Sequence, residues 1–185
     1  WHEWDSNGEL DWYLLDNARN RETQAFFRAA NAFYKNQPAL WEIDFDWAGF
    51  EWLVPDDNHN NVVVFLRKDR KGRDLLCAVN FSPNAYQGYR IGVPDRRQYV
   101  PVFNTDAADF GGEGFGDAEA VAVEEIASHG KDYSVALKLP PFGGVFLKGE
   151  GKFPSRTRPR AGTAARTGKR PVRGRTFVKL RKTGK

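Results

Sequence analysis

The apolar period of this 185-residue chain changes once, near residue 40, and that change restricts the folds open to it. Upstream, Phe26, Phe27, Ala30, Phe33 and Tyr34 fall at i, i+1, i+4, i+7 and i+8, the spacing of one helix face. The spacing predicts a helix over residues 21–37, with Asn20 as N-cap, Glu22 in the first turn and Pro38 ending it. Downstream the helical period disappears. Short β-rich runs follow at 50–53, 62–67, 75–81, 87–91, 99–104, 120–126, 133–139 and 145–148. Turn clusters such as Pro55-Asp56-Asp57-Asn58, Asp69-Arg70-Lys71-Gly72 and Pro140-Pro141 separate them. In Tyr133-Ser134-Val135-Ala136-Leu137-Lys138-Leu139 the odd positions are apolar and the even ones small or polar, which fits a strand with one face in a core. Strands at this spacing, with no long helix between them, argue a mainly β fold: an antiparallel β-sandwich preceded by one or two helices.

Charge divides the chain a second time. Residues 152–185 carry thirteen of the 28 Lys and Arg and no Asp or Glu. The remaining fifteen basic residues face all 24 acidic ones, so residues 1–151 carry a net −9 against +4 for the whole chain. The basic end has few aliphatic residues and charge of one sign, so it is expected to be a disordered tail. A nucleic-acid role could rest only on that tail, through phosphate contacts, and the acidic body argues against it. No run of about 18 apolar residues is present, so no membrane helix is expected. Trp1-His2-Glu3-Trp4 is aromatic and acidic, unlike a signal peptide. The chain has no methionine and opens on Trp1, from which the expectation is an interior piece of a longer protein.

Catalytic and metal chemistry find little support. The single cysteine, Cys77, lies in the apolar run Leu75-Leu76-Cys77-Ala78-Val79 and reads as a buried strand thiol. No disulfide can form within the chain, which fits a cytoplasmic location. His2, His59 and His129 lack ligand-like spacing, so no metal and no cofactor is expected. The carboxylate pairs Asp44/Asp46, Asp56/Asp57 and Glu124/Glu125 read as solvated acidic surface, the last pair pointing to opposite faces of an expected strand. The glycines at 111, 112, 114 and 116 read as a connector. Asp109, Glu113 and Asp117 surround them with negative charge, unsuited to phosphate.

Several stretches, in order, resemble one family over about residues 1–150. They include Glu3-Trp4, Leu10-Asp11-Trp12-Tyr13-Leu14-Leu15-Asp16, Gln37-Pro38-Ala39-Leu40, Gly49-Phe50-Glu51-Trp52 and Val79-Asn80-Phe81-Ser82-Pro83. Gly88-Tyr89-Arg90-Ile91-Gly92-Val93-Pro94, Asn104-Thr105-Asp106 and Leu139-Pro140-Pro141-Phe142-Gly143 continue the series. Together they are similar to the carboxyl end of bacterial 1,4-α-glucan (glycogen) branching enzymes, of the α-amylase superfamily (glycoside hydrolase family 13).

The resemblance implies a parent with an N-terminal β-domain, a central (β/α)8 barrel and a C-terminal all-β domain. Residues 1–40 would then be the barrel's end, 41–149 the C-terminal sandwich and 150–185 the tail. The parent cuts an α-1,4 glucosidic link and rejoins the chain as an α-1,6 branch in glycogen biosynthesis. Its partners would be an α-glucan such as glycogen or amylose and the rest of the barrel. A retaining mechanism needs two carboxyl groups about 5–5.5 Å apart. In this family they lie at barrel strand ends upstream of Trp1, so this chain alone is expected to be inactive. The expected glucan-contacting residues are Trp4, Asp5, Asp11 and Trp12, because sugar rings pack their C–H faces on flat aromatics while carboxylates bind hydroxyls. The competing reading makes these tryptophans cement between barrel and sandwich, and for Trp12 packing is the better expectation. A stand-alone carbohydrate-binding sandwich is the alternative function. It would need Tyr86, Tyr89, Tyr99 and Phe103 as an exposed row, whereas strand aromatics usually face the core.

Overall fold

A computed structural model describes residues 5–151. The helix, α1 (Ala18–Asn36), starts three residues earlier than the apolar period indicates. Its N-cap is Asn17, whose side chain accepts the Arg19 amide at 2.9 Å. Asn20 is already helical, because the polar first turn needs only a cap and no apolar partner. At the other end Pro38 opens a 3₁₀ turn (Pro38–Leu40), and a second such turn (Trp12–Asp16) precedes the helix.

Seven strands follow: β1 (Phe50–Asp57), β2 (Val62–Lys68), β3 (Asp74–Asn80), β4 (Tyr86–Val93), β5 (Gln98–Asn104), β6 (Tyr133–Leu139) and β7 (Gly144–Glu150). They form a five-stranded sheet in the order β1-β2-β3-β7-β5 and a two-stranded sheet β4-β6, all antiparallel. The expected strand at 120–126 is instead a loop that touches the sheets at single bridges, Tyr99 to Val121 and Glu124 to Ser134. Its two glutamates turn outward to arginines, Glu124 to Arg90 and Glu125 to Arg96, rather than holding a continuous register. Of the cluster at Pro55 only Asn58 lies in the turn. Pro55 lies within β1, inside the register shift between Val54 and Asp57. Proline's missing N–H is tolerated there because β1 is an edge strand.

The period of two along the strands divides side chains between two cores. Val62, Val64, Leu66, Leu76, Ala78 and Leu147 point to the small sheet, where they meet Ile91, Val93, Val135, Leu137 and Leu139. The opposite face of the large sheet carries Leu75, Cys77, Phe65 and Phe146. Helix α1 covers part of this second face. Phe33 stacks on Phe103 at 4.7 Å between ring centroids and meets Phe146 edge-on at 5.4 Å. Phe26 packs against Phe103 and Phe110, and Ala39 lies against Leu75 and Cys77. Burial pushes the Cys77 thiol up to about 12, so it is an inert core group.

The apolar helix face read from the sequence is therefore divided. Phe26 and Phe33 pack on the sheet, while Phe27 and Tyr34 remain exposed. Leu10, Trp12 and Tyr13, just before the helix, are exposed as well.

Candidate functional site

Helix α1 stops short of the β1–β2 side of its sheet face, and the 3₁₀ turn after it rests on β3 and β2. Phe50 and Trp52 of β1 are left there without a helix above them, while Phe65 of β2 packs against the second core. The Trp52–Phe65 and Phe50–Arg67 pairs lie opposite each other across the strands. Phe50 stacks on Phe65 at 5.3 Å, and Trp52 stands nearly perpendicular to Phe50 at 4.8 Å and 85°. The segment from 41 to 49 then forms a wall beside this floor. The result is an open groove of about 500 Å³ lined by Asp44, Phe45, Asp46, Trp47, Phe50, Trp52 and Arg67, within the size range of small-ligand sites.

Its aromatics face solvent to an unusual degree. Phe45 is fully exposed, Trp47 is 83% exposed and Trp52 49%. Grouped exposed apolar surface of this kind marks an interaction site. Polar groups stand between the rings. Asp46 caps the short 3₁₀ turn Trp47–Gly49 by accepting the Ala48 amide at 2.8 Å. Asp44 Oδ1 accepts from Arg67 Nη2 at 2.7 Å, with the Asp44 side chain 44% exposed. A carboxylate has about four acceptor sites, so both acids keep capacity for ligand hydroxyl groups. Flat apolar faces beside free acceptors suit a polyhydroxylated ring.

On the inner side of β1, Glu51 bridges Lys68 of β2 and Lys131 of the loop before β6. Burial alone would raise the Glu51 carboxyl, but hydrogen bonds from Lys131 and Lys68 outweigh it and hold the group below its ordinary value. Asp57 is likewise held low, the Tyr89 hydroxyl at 2.5 Å and Asn60 at 2.7 Å outweighing partial burial.

The residues expected from sequence are distributed differently. Trp4 lies outside the described residues, as does the basic tail. Asp5 accepts the Asn7 amide at 2.9 Å and organises its own turn. Asp11 precedes the 3₁₀ turn that Trp12 opens, and both are exposed. The four aromatics weighed as an exposed row do not form one. Tyr99 is fully buried, Tyr86 and Tyr89 pack against the main core, and Phe103 sits under α1. Asp44 and Asp46, read only as solvated acid, instead line the groove. Trp47 and Trp52 were not read as site residues. The available signal was the interleaving of acid and aromatic in Asp44-Phe45-Asp46-Trp47 directly before a strand. Among the described residues no group of three or more His, Cys, Asp or Glu is placed to hold a metal ion, and no helix is long and apolar enough to cross a membrane.

A mainly β body of two antiparallel sheets defines the class of protein, and comparison with known families agrees. Residues 52–150 match the family described as the alpha amylase C-terminal all-beta domain. This match spans more than half of the chain, and the chain belongs to that family. It is 40% identical over 149 residues to the 1,4-alpha-glucan branching enzyme GlgB of Desulfitobacterium hafniense (strain Y51), covering 80% of this chain and 24% of that protein. It is 44% identical over 153 residues to the GlgB of Cupriavidus pinatubonensis (strain JMP 134 / LMG 1197), covering 82% of this chain and 20% of that protein. The GlgB of Rubrobacter xylanophilus (strain DSM 9941 / JCM 11954 / NBRC 16129 / PRD-1) is 43% identical over 147 residues, with coverages of 79% and 20%. The chain thus spans 20–24% of the length of these relatives, and the resemblance read from its motifs holds at the level of family.

Proposed function

We propose that this chain acts as the non-catalytic C-terminal part of a 1,4-α-glucan branching enzyme, and that its groove holds an α-glucan chain. The observation that carries the reading is the juxtaposition of Trp47, Trp52 and Phe45 with the carboxylates of Asp44 and Asp46. Sugar C–H faces pack on the rings and hydroxyl groups donate to the acids. Holding glucan near a catalytic barrel raises its local concentration without any chemistry in this chain.

The division into a barrel end at 1–40, a sandwich at 41–149 and a tail at 150–185 belongs to the same proposal. So does a contact of Trp4, Asp5, Asp11 and Trp12 with the glucan path of the whole enzyme, and so does its cytoplasmic location. Exposed Leu10, Trp12, Tyr13, Phe27 and Tyr34 favour this reading over a stand-alone binding module. They line the turn and helix assigned to the barrel, where an isolated module has no use for them.

Affinity electrophoresis through amylose tests binding. The chain is expected to be retarded, and Trp52→Ala is expected to weaken binding by at least about tenfold, the scale of an aromatic anchor. Equal mobility with and without amylose would remove the glucan reading. Incubation with amylose, followed by iodine colour, is expected to show no branching. A colour change would mean that this chain carries catalytic groups after all.

A further inference from the structure

We propose that Arg67 is the positioning residue of the groove, the side chain that fixes its aromatic and acidic wall over the β1–β2 floor. The inference rests on the glucan reading for its ligand, but not for its geometry. The wall, residues 41–49, contains no strand and only one short 3₁₀ turn. Apolar burial does not hold it either: Trp41, Phe45 and Trp47 are exposed and Ile43 is only half-buried. Its attachment is polar: the Arg70 amide donates to Glu42 Oε2 at 3.0 Å, and Arg67 joins Asp44 to the turn just before the wall. From β2, Nε donates to the Ala39 carbonyl at 3.2 Å, and Nη2 donates to the Leu40 carbonyl at 3.2 Å and to Asp44 Oδ1 at 2.7 Å. Its side chain is 14% exposed and also lines the groove.

A planar guanidinium with five fixed donors can join two carbonyls and a carboxylate at once, whereas an ammonium offers one point charge. The carbonyls belong to the turn that packs Ala39 onto Leu75 and Cys77. Arg67 therefore ties Asp44 to a position already set by the second core. The far end of the wall is fixed by close approach: a Cβ on Gly49 would lie 2.0 Å from the Ile43 carbonyl oxygen. With both ends held, Trp47 and Asp46 stand beside Trp52 before any ligand arrives, and little ordering is left to be done on binding.

The test uses the full chain labelled with 5-fluorotryptophan, whose Trp12, Trp47 and Trp52 resonances are assigned by single Trp→Phe variants. Arg67→Met and Arg67→Lys are compared with the parent for fluorine shifts, melting temperature and maltoheptaose affinity. Both variants are expected to shift or broaden the Trp47 and Trp52 resonances while leaving Trp12 unmoved. Each is expected to weaken maltoheptaose about tenfold, the scale of re-ordering two or three side chains on binding. Lysine is expected not to rescue, since its compact ammonium lacks the planar fork that reaches both carbonyls and Asp44 at once. Asp44→Asn, which keeps an acceptor oxygen for Arg67, is expected to keep the Trp47 position. Unmoved Trp47 and Trp52 resonances in Arg67→Met would overturn the proposal, whatever the affinity. Moved resonances with unchanged affinity would overturn it too, because the wall would not then position a ligand. If the parent chain itself ignores maltoheptaose, the glucan reading fails, and the fluorine shifts alone still decide whether Arg67 holds the wall.

Discussion

The ion cluster at the start of β3 lends itself to a quantitative prediction. Arg97 donates from Nη2 to Asp74 Oδ2 and from Nε to Asp95 Oδ1 at 2.7 Å, and the Arg97 and Asp74 side chains are 2% and 5% exposed. Gly149 makes room for the pair, since a Cβ there would sit 3.0 Å from Arg97 Cζ and from Asp74 Oδ1. Arg97→Met keeps an apolar stem of similar reach and removes the guanidinium. Asp74 then loses its charged donor inside the protein, and its Oδ1 already has no hydrogen-bond partner among the described residues. Breaking a buried pair from one side costs about 3–5 kcal/mol. A folded body of this size loses about 2–4 °C in Tm per kcal/mol, so a fall of roughly 6–20 °C is expected.

The loss should also depend on pH, with a definite sign. Burial pushes the Asp74 carboxyl above its ordinary value, only partly offset by Arg97, and removing Arg97 pushes it further. A folded-state pKa above the unfolded one, about 3.9, means that the native state retains a proton the unfolded state gives up. The associated stability is present below the unfolded value and is lost as pH rises through the folded one. Arg97→Met should therefore be destabilised less at pH 4.5 than at pH 7, and Asp74→Leu added to it should recover much of the loss. Urea denaturation of the three proteins at both pH values measures this. A loss below about 1 kcal/mol at pH 7, or one that does not vary with pH, would show that Asp74 is solvated and the reasoning wrong.

Two further outcomes follow from neighbouring features. Gly49→Ala places a methyl group where the Ile43 carbonyl oxygen sits, 2.0 Å away. Displacing that wall is expected to cost about 1–3 kcal/mol and to weaken amylose retardation as well, measured by urea midpoint and affinity gel. Glu51, Asp57 and Asp69 are all held below their ordinary values. Their contribution is present above the unfolded values near pH 4 and is lost as pH falls through the folded ones. The urea midpoint should then drop below about pH 4, and Asp57→Asn should flatten that drop.

Where an element pairs continuously, its sequence was informative. The alternation in β6 and the unbroken apolar run of β3 reflect one-sided and two-sided burial, and both strands lie where the pattern put them. The pattern misled where pairing is intermittent. Residues 120–126 have β-forming composition, but only Val121 and Glu124 form bridges, one to each sheet, with no continuous ladder between them. Pro55 read as a turn because proline alone does not reveal that its strand lies at an edge.

The groove was hidden for a related reason. Its floor belongs to the same sheet face as a core, and only the reach of α1 decides which part of that face becomes which. Over β5, β7 and β3 the helix and its trailing turn cover Phe103, Phe146 and Leu75, and those aromatics stabilise the fold. Over β1 that cover is absent, and Phe50 and Trp52, chemically the same kind of residue, line the open groove. Pro38 sets that boundary by ending the helix. Arg67 stands at it, tying the covered half through Ala39 and Leu40 to the open half through Asp44. A single sheet face can thus serve stability at one end and recognition at the other, provided that something polar fixes where the cover stops. On the proposal above, that requirement makes a largely buried arginine, rather than another aromatic, the residue on which the groove depends.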